Sequence, residues 1–243
     1  MTLDEDVLER LGAYVPDSSS FVPFVARFQM TSPVSLGHPY INGDALIAAE
    51  MMRHLLGDDF YTLPTKKPLP VDTALQLPLK KSRGVYHASV SIFDTDNVYT
   101  SVIYKRFESM GVEDKVSSKK KKIPLGAGFF KACMVTTPYK PAQEILFFFN
   151  GDLDFCRKLL SNVSHLGKDR ARGYGEVADV MVEQVAHDKS LIDKENKMFM
   201  RPIPFEQVKH LGIPEHTMLL TYSFPYWQRN RAKMCTYPLS HYI

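Results

Sequence analysis

The sequence predicts an α+β chain, on three observations. Phe24, Ala26, Phe28 and Met30 alternate with Val25, Arg27 and Gln29, the period of two of a strand with one face on a core. Two amphipathic helical patterns, near 44–56 and 152–163, each follow a strand pattern. With the middle of the chain set aside, the elements read strand-helix-strand-strand-helix-strand, the order of a ferredoxin-like, split β-α-β sheet. The 243 residues, 44% hydrophobic and 23% charged, fall in the globular range and exclude disorder, a collagen-like repeat and a disulfide scaffold.

The elements follow in chain order. Residues 1–20 read as a short helix and a loop closing on Pro16, Asp17 and three serines. Strand 24–30 stops at Thr31, Ser32 and Pro33, and Arg27 and Gln29 point away from its core face. Asn42, Gly43 and Asp44 start a helix with Asp44 expected as N-cap. Its apolar side holds Ala45, Ala48, Met52, Leu55 and Leu56; Glu50, Arg53 and His54 are expected opposite, and Gly57 stops it. The proline-rich stretch 64–78 reads as an extended connection. Residues 85–93 and 98–107 are β-rich and separated by Asp94, Thr95, Asp96 and Asn97, the length and composition of a hairpin loop. After a run of lysines, strands are expected at 129–136 and 144–150. Asp152 is the expected N-cap of the second helix, with Phe155, Cys156, Leu159, Leu160 and Val163 inward. A last strand alternates Ala178, Val180 and Val182 with Asp179, Met181 and Glu183. The remainder holds a short helix candidate at 205–211 and an aromatic, basic segment at 219–237. The expected organisation is an N-terminal extension 1–20, a domain 21–186 with a hairpin insertion about 66–128, and a C-terminal extension 187–243.

Thirty Lys and Arg against 27 Asp and Glu leave a net charge of +3, too small to imply a polyanionic partner, so nucleic-acid binding would have to come from local clusters. The acidic N-terminus lacks a secretory pattern, so a cytoplasmic location is expected. The apolar run 145–149 is far short of the ~20 residues of a membrane span, so no membrane partner is expected. Cys133, Cys156 and Cys235 form no CxxC pair and read as small buried hydrophobes. With no HExxH and no acidic cluster, no metal and no cofactor are expected.

The most informative segment is 167–175. Gly167, Gly173 and Gly175 permit positive φ and close approach of a ligand, and Lys168, Arg170 and Arg172 alternate as phosphate-binding cations. It is neither a Walker A loop nor a GxGxxG fingerprint, since it closes a helix and feeds a strand. A helix C-cap whose cations complement the helix dipole reads equally well. Elsewhere, Trp227, Arg229, Arg231 and Lys233 combine an aromatic with cations, which suits single-stranded nucleic acid. A C-terminal hairpin burying Tyr226 and Trp227 is the preferred reading there, with the three cations exposed by alternation.

The segment from His165 through Gly175 to Val177, between an amphipathic helix and the last strand, resembles the glycine-rich loop of the CRISPR RAMP superfamily. Within it the chain is most similar to the Cas-five-like subunit of type IV CRISPR effector complexes. Three stretches add to the resemblance: Ser32-Pro33-Val34 with 41–46, Gly126-Ala127-Gly128 with 129–132, and Arg201-Pro202-Ile203-Pro204. The resemblance implies a modified RRM-like domain that holds the 5′ handle of the guide RNA (crRNA) and caps a filament of Cas-seven-like backbone subunits beside a large subunit. Target DNA near the PAM is a further implied contact. The amides of Gly167, Gly173 and Gly175 would approach phosphates, with Lys168, Arg170 and Arg172 neutralising them. Tyr174 would stack on a base or pack beneath the loop, and Arg27 and Lys131 join the RNA-binding set. The 85–107 hairpin would be the thumb, with Lys119, Lys120, Lys121 and Lys122 near its base meeting RNA or displaced DNA; a solvated charge run is the equal alternative. Some related subunits cleave RNA with His, Lys or Tyr, so His165, Tyr174, His38 and His54 are the candidates. The expected role is non-catalytic. The alternatives are a metal-independent endoribonuclease that processes precursor crRNA and a ferredoxin-like protein-binding module.

Overall fold

The computed structural model describes residues 3–63, 70–107, 126 and 131–242. Helix α1 (Leu3–Gly12) precedes strand β1 (Phe21–Met30), the two-residue strand β2 (Val34–Ser35) and helix α2 (Gly43–Leu56). A short helix α3 (Val71–Ala74) leads to strands β3 (Lys81–Ser82), β4 (Val85–Tyr86), β5 (Ile92–Phe93) and β6 (Tyr99–Lys105). Strands β7 (Cys133–Lys140) and β8 (Glu144–Asp152), helix α4 (Leu153–Leu160) and strand β9 (Val177–Gln184) follow. The last part holds β10 (Ile192–Asp193), β11 (Met198–Phe199), helix α5 (Phe205–Val208), β12 (Thr217–Thr221) and β13 (Ala232–Thr236). The chain is thus a mixed α/β protein with several antiparallel sheets.

The central sheet runs β5-β8-β1-β9, with β1 antiparallel to both neighbours. The alternation in β1 sends Phe24, Ala26 and Phe28 into the core, where Phe24 stacks on Phe149 at 5.2 Å and Phe28 meets Phe147 edge-on at 5.6 Å. Helices α2 and α4 cover this face. Asp152 caps α4 as expected, its carboxylate accepting from the Phe155 amide at 3.0 Å, an interaction worth about 1 kcal/mol. Gly57 ends α2 with φ of 56°, also as expected. Two expectations for α2 are corrected. Asn42 occupies the cap position, and Asp44 is buried in the first turn by partners from the far end of the chain. Glu50 is not on a solvated face; it is 5% exposed, and Arg53 neutralises it.

The expected 85–107 hairpin does not form. Arg83 and Gly84, with φ of 49° and 83°, make a two-residue turn that pairs β4 with β3 instead, the positive φ at both positions suiting the twist of a tight hairpin. Residues 87–93 then run along β8: the amide of Ser89 donates to Phe148 O, Val90 turns out to Met200 O, and β5 rejoins the edge. Asp94 is no hairpin turn residue, since its carboxylate accepts the amides of Gln143 and Glu144 and sends the chain out of the sheet. Strand β6 pairs with β7 in a second sheet of order β2-β7-β6, so the strand expected at 129–136 is displaced to Cys133–Lys140 and leaves the central sheet. Residues 64–69 of the proline-rich stretch lie outside the described residues, and α3 forms beyond them where an extended connection was expected.

Residues beyond β9 gather a second, smaller apolar cluster around Phe199, Ile203 and Val208, and Arg201 ties them to the first part. Arg201 is 1% exposed and donates to the carbonyls of Ala88 (2.9 Å) and Tyr222 (2.7 Å), to the Tyr226 hydroxyl (2.9 Å) and to Asp44 (3.2 Å). Tyr226 in turn donates to Asp44 at 2.6 Å. Asp44 and Arg201 thus form a buried ion pair in which both Arg201 Nη groups are met by carbonyls, the carboxylate and a phenol, the condition under which such a pair is tolerated, while Arg201 Nε has no hydrogen-bond partner among the described residues. Cys156 and Cys235 are buried, whereas Cys133 is half-exposed at the start of β7.

Candidate nucleic-acid interface

The 167–175 loop is held between the two sheets by the chain just after β1. The Lys168 amide donates to Ser35 O at 2.7 Å, the Gly175 amide to Pro33 O at 2.8 Å, and the Thr31 amide to Glu176 O at 3.0 Å. Ser32 Oγ accepts the Glu176 amide at 2.8 Å. The loop closes on itself through Leu166 N to Gly175 O, 2.7 Å. A Cβ at Gly167 would lie 2.4 Å from Ser35 O, and one at Gly175 only 1.8 Å from Leu166 O, so both glycines are required by packing. Gly173 faces open space and is required by its φ of 84° alone. The amides of Gly173 and Gly175 donate to Arg170 O and Pro33 O, which corrects the expectation that they face phosphates: their part is to shape the loop.

What the loop presents outward is charge. Lys168, Arg170 and Arg172 are all exposed. Asp169, in the left-handed region at φ 55°, accepts from Ser35 Oγ (3.2 Å) and Arg172 Nη1 (2.9 Å), fixing Arg172 across the turn. Arg170 Nε donates to Gly167 O at 3.1 Å. Among the described residues no carboxylate lies within ion-pair distance of Arg170, whose pKa is held below the ordinary guanidinium value by partial burial and then by the neighbouring Arg53. Tyr174 packs inward from the loop: its hydroxyl is 2.8 Å from Ser101 Oγ on β6, and its ring is 5.8 Å from Tyr139 on β7, itself stacked on Tyr99 at 5.9 Å.

Other expected contacts fall elsewhere. Arg27 lies on the open face of the central sheet, paired with Glu144 at 3.4 Å between Leu146 and Met181. The neighbouring rungs carry Glu144, Asp179 and Glu183, so this face is acidic and Arg27 is neutralised within it. Lys131 is exposed just before β7, and Lys119 to Lys122 lie outside the described residues. In the C-terminal segment the preferred reading is corrected for Trp227, which is 57% exposed and meets Phe224 edge-on at 5.8 Å, while Tyr226 is half-buried with its hydroxyl on Asp44. Arg231 is half-buried because it pairs with Asp72, Lys233 is exposed over the Tyr222 ring, and the Arg229 side chain lies outside the description. Residues 229–231 form a helical turn, so strand alternation begins only at Ala232.

One arrangement has no counterpart in the sequence reading. The C-terminal part of α2, the 57–62 turn and the approach to the loop enclose a cleft of about 430 Å³ lined by Glu50, Arg53, His54, Tyr61, His165 and Arg170, among others. His54 and His165 were singled out one by one; Arg53 and Tyr61 carried no pattern that sequence could detect. Among the described residues no group of three or more His, Cys, Asp or Glu is placed to hold a metal ion, and no helix is long and apolar enough to cross a membrane.

A family model described as CRISPR type IV associated protein Csf3 matches residues 76–238, about two thirds of the chain. A similar solved structure is the cryo-EM structure of the type III-B Cmr-beta bound to cognate target RNA, at 10% identity and a TM-score of 0.38 over 74% of this chain. The chain spans 65% of the length of that solved chain. No curated protein matches.

Proposed function

The chain belongs to the CRISPR type IV associated protein Csf3 family, and from that premise we propose that it is a non-catalytic subunit of a type IV ribonucleoprotein effector, binding the 5′ handle of the guide RNA through the 167–175 loop. It caps the filament of backbone subunits, and target DNA near the PAM is a further contact. The observation that carries this reading is the loop itself: three cations displayed on a backbone in which Gly167 and Gly175 admit no side chain and the amides of Lys168 and Gly175 are anchored to Ser35 and Pro33. Pre-positioned cations lose little entropy on meeting phosphates, and phosphate contacts set register without demanding base identity. We read the central sheet as ferredoxin-like, supported by the order β5-β8-β1-β9 with α2 between β1 and β5 and α4 between β8 and β9. The β6–β7 pair is the thumb in this reading.

The test is retention of a single-stranded repeat RNA by the variant Lys168→Ala/Arg170→Ala/Arg172→Ala. Affinity should fall at least ten-fold, and the salt dependence should flatten by about 2 in log-log slope, ~0.7 per lost phosphate contact. Unchanged retention in a variant that melts like the parent would remove the loop assignment. A metal-independent endoribonuclease is the second reading, favoured by the placing of His54 and His165 on one cleft. It requires cleavage of repeat RNA in EDTA that is lost on His165→Ala.

A further inference from the structure

The cleft beside the loop carries more charge than it neutralises. Two guanidiniums, Arg53 and Arg170, face one carboxylate, Glu50, which is nearly fully buried and bonded to Arg53. Both cations are held in place from behind, Arg53 over the Phe60 ring at 5.3 Å and Arg170 through its Nε on Gly167 O. Like charges in a partly desolvated cleft repel, and an anion between them relieves the repulsion. Three planar rings share the same walls: Tyr61 is 76% exposed, His54 is exposed and His165 is half-exposed. The volume lies in the ~300–1,000 Å³ range of small-ligand sites.

We propose that this cleft seats one nucleotide of the bound RNA, its phosphate between Arg53 and Arg170 and its base against the Tyr61, His54 and His165 rings. An acidic peptide could meet the guanidiniums, but it would leave unused the open ring surface of Tyr61 and His54, which meet Phe60 (5.4 Å) and Phe155 (5.6 Å) edge-on; a nucleotide uses both. The inference rests on the RNA-binding reading above and adds to it a contact from α2 and the 57–62 turn, outside the glycine-rich loop.

The experiment measures binding of a fluorescein-labelled single-stranded RNA decamer to the full chain and to three variants, each checked for an unchanged melting curve. Lys168→Ala/Arg172→Ala reports on the loop, His54→Ala/Tyr61→Ala on the rings, and Arg53→Gln on the phosphate seat. The ring variant should bind at least five-fold more weakly with an unchanged salt slope, because stacking carries no counterion release. Arg53→Gln should lower the slope by about 0.7. Because removing Arg53 leaves Glu50 buried without its partner, the ring variant decides if Arg53→Gln fails to fold. Weakening by the loop variant alone overturns the cleft and leaves the loop reading standing; no effect from any variant overturns both. A glutamate decapeptide that binds as tightly as the RNA, and is weakened equally by the ring variant, overturns the nucleotide assignment in favour of an acidic protein.

Discussion

Gly173 and Gly175 are two residues apart and share left-handed φ values, yet a methyl group meets open space at one and a carbonyl 1.8 Å away at the other. Gly173→Ala is therefore expected to destabilise by about 1–2 kcal/mol, the cost of a left-handed L-residue. Gly175→Ala should cost clearly more, because the Leu166 amide donates to Gly175 O, so the Leu166 carbonyl cannot withdraw without straining that closure. Urea denaturation of the two variants checks this, and equal effects would mean that conformation alone, not packing, fixes Gly175. Asp169 adopts the same region without being glycine, and its side chain earns the position by bonding Ser35 and Arg172. Glycines were legible as a group in the sequence; which of them packs and which merely turns was not, because it depends on how the loop folds back on Leu166 and on residues 34 and 35, which meet Gly167 from far away in the chain.

Among the elements, those governed by local periodicity were readable: β1, β8, β9 and the capped helix α4 all stand where alternation and Asp152 put them. Residues 85–107 were not, because β propensity fixes that a segment is extended and not which neighbour it pairs with. The turn at Arg83 and Gly84 and the capping role of Asp94 divert the two halves into different sheets. The resulting β6–β7 pair is tied to the loop by Tyr174. Tyr174→Phe should lose the Ser101 bond for about 1 kcal/mol, while Tyr174→Ala should also remove the Tyr139 contact and raise hydrogen exchange in β6 and β7. Exchange confined to the loop would show that the two sheets are not coupled through this side chain.

At the scale of the whole molecule, the stretches at 32–34, 41–46, 165–177 and 201–204 that resembled a family separately prove to be joined in space, while 127–130 lie outside the described residues. Residues 32–35 clamp the glycine-rich loop, and Asp44 meets Arg201 in the core. Arg201→Met should cost about 3–5 kcal/mol because it leaves Asp44 charged and buried, and Asp44→Asn less, since an amide can still bond to Tyr226. Thermal melting of both variants measures the difference, and an Arg201→Met protein as stable as the parent would deny the pair its structural role. Residues 187–243, which read as an extension, thus supply Arg201, Tyr222 and Tyr226 to the buried polar cluster around Asp44. Asp44 needs not only Arg201 but Tyr226, and Arg201 needs the carbonyl of Tyr222. A growing polypeptide can therefore lay down β1, α2 and α4 early, but the start of α2 holds an unanswered carboxylate until residue 226 has cleared the ribosome. Consolidation of the start of α2 follows, in order of synthesis, the emergence of residues 201–226.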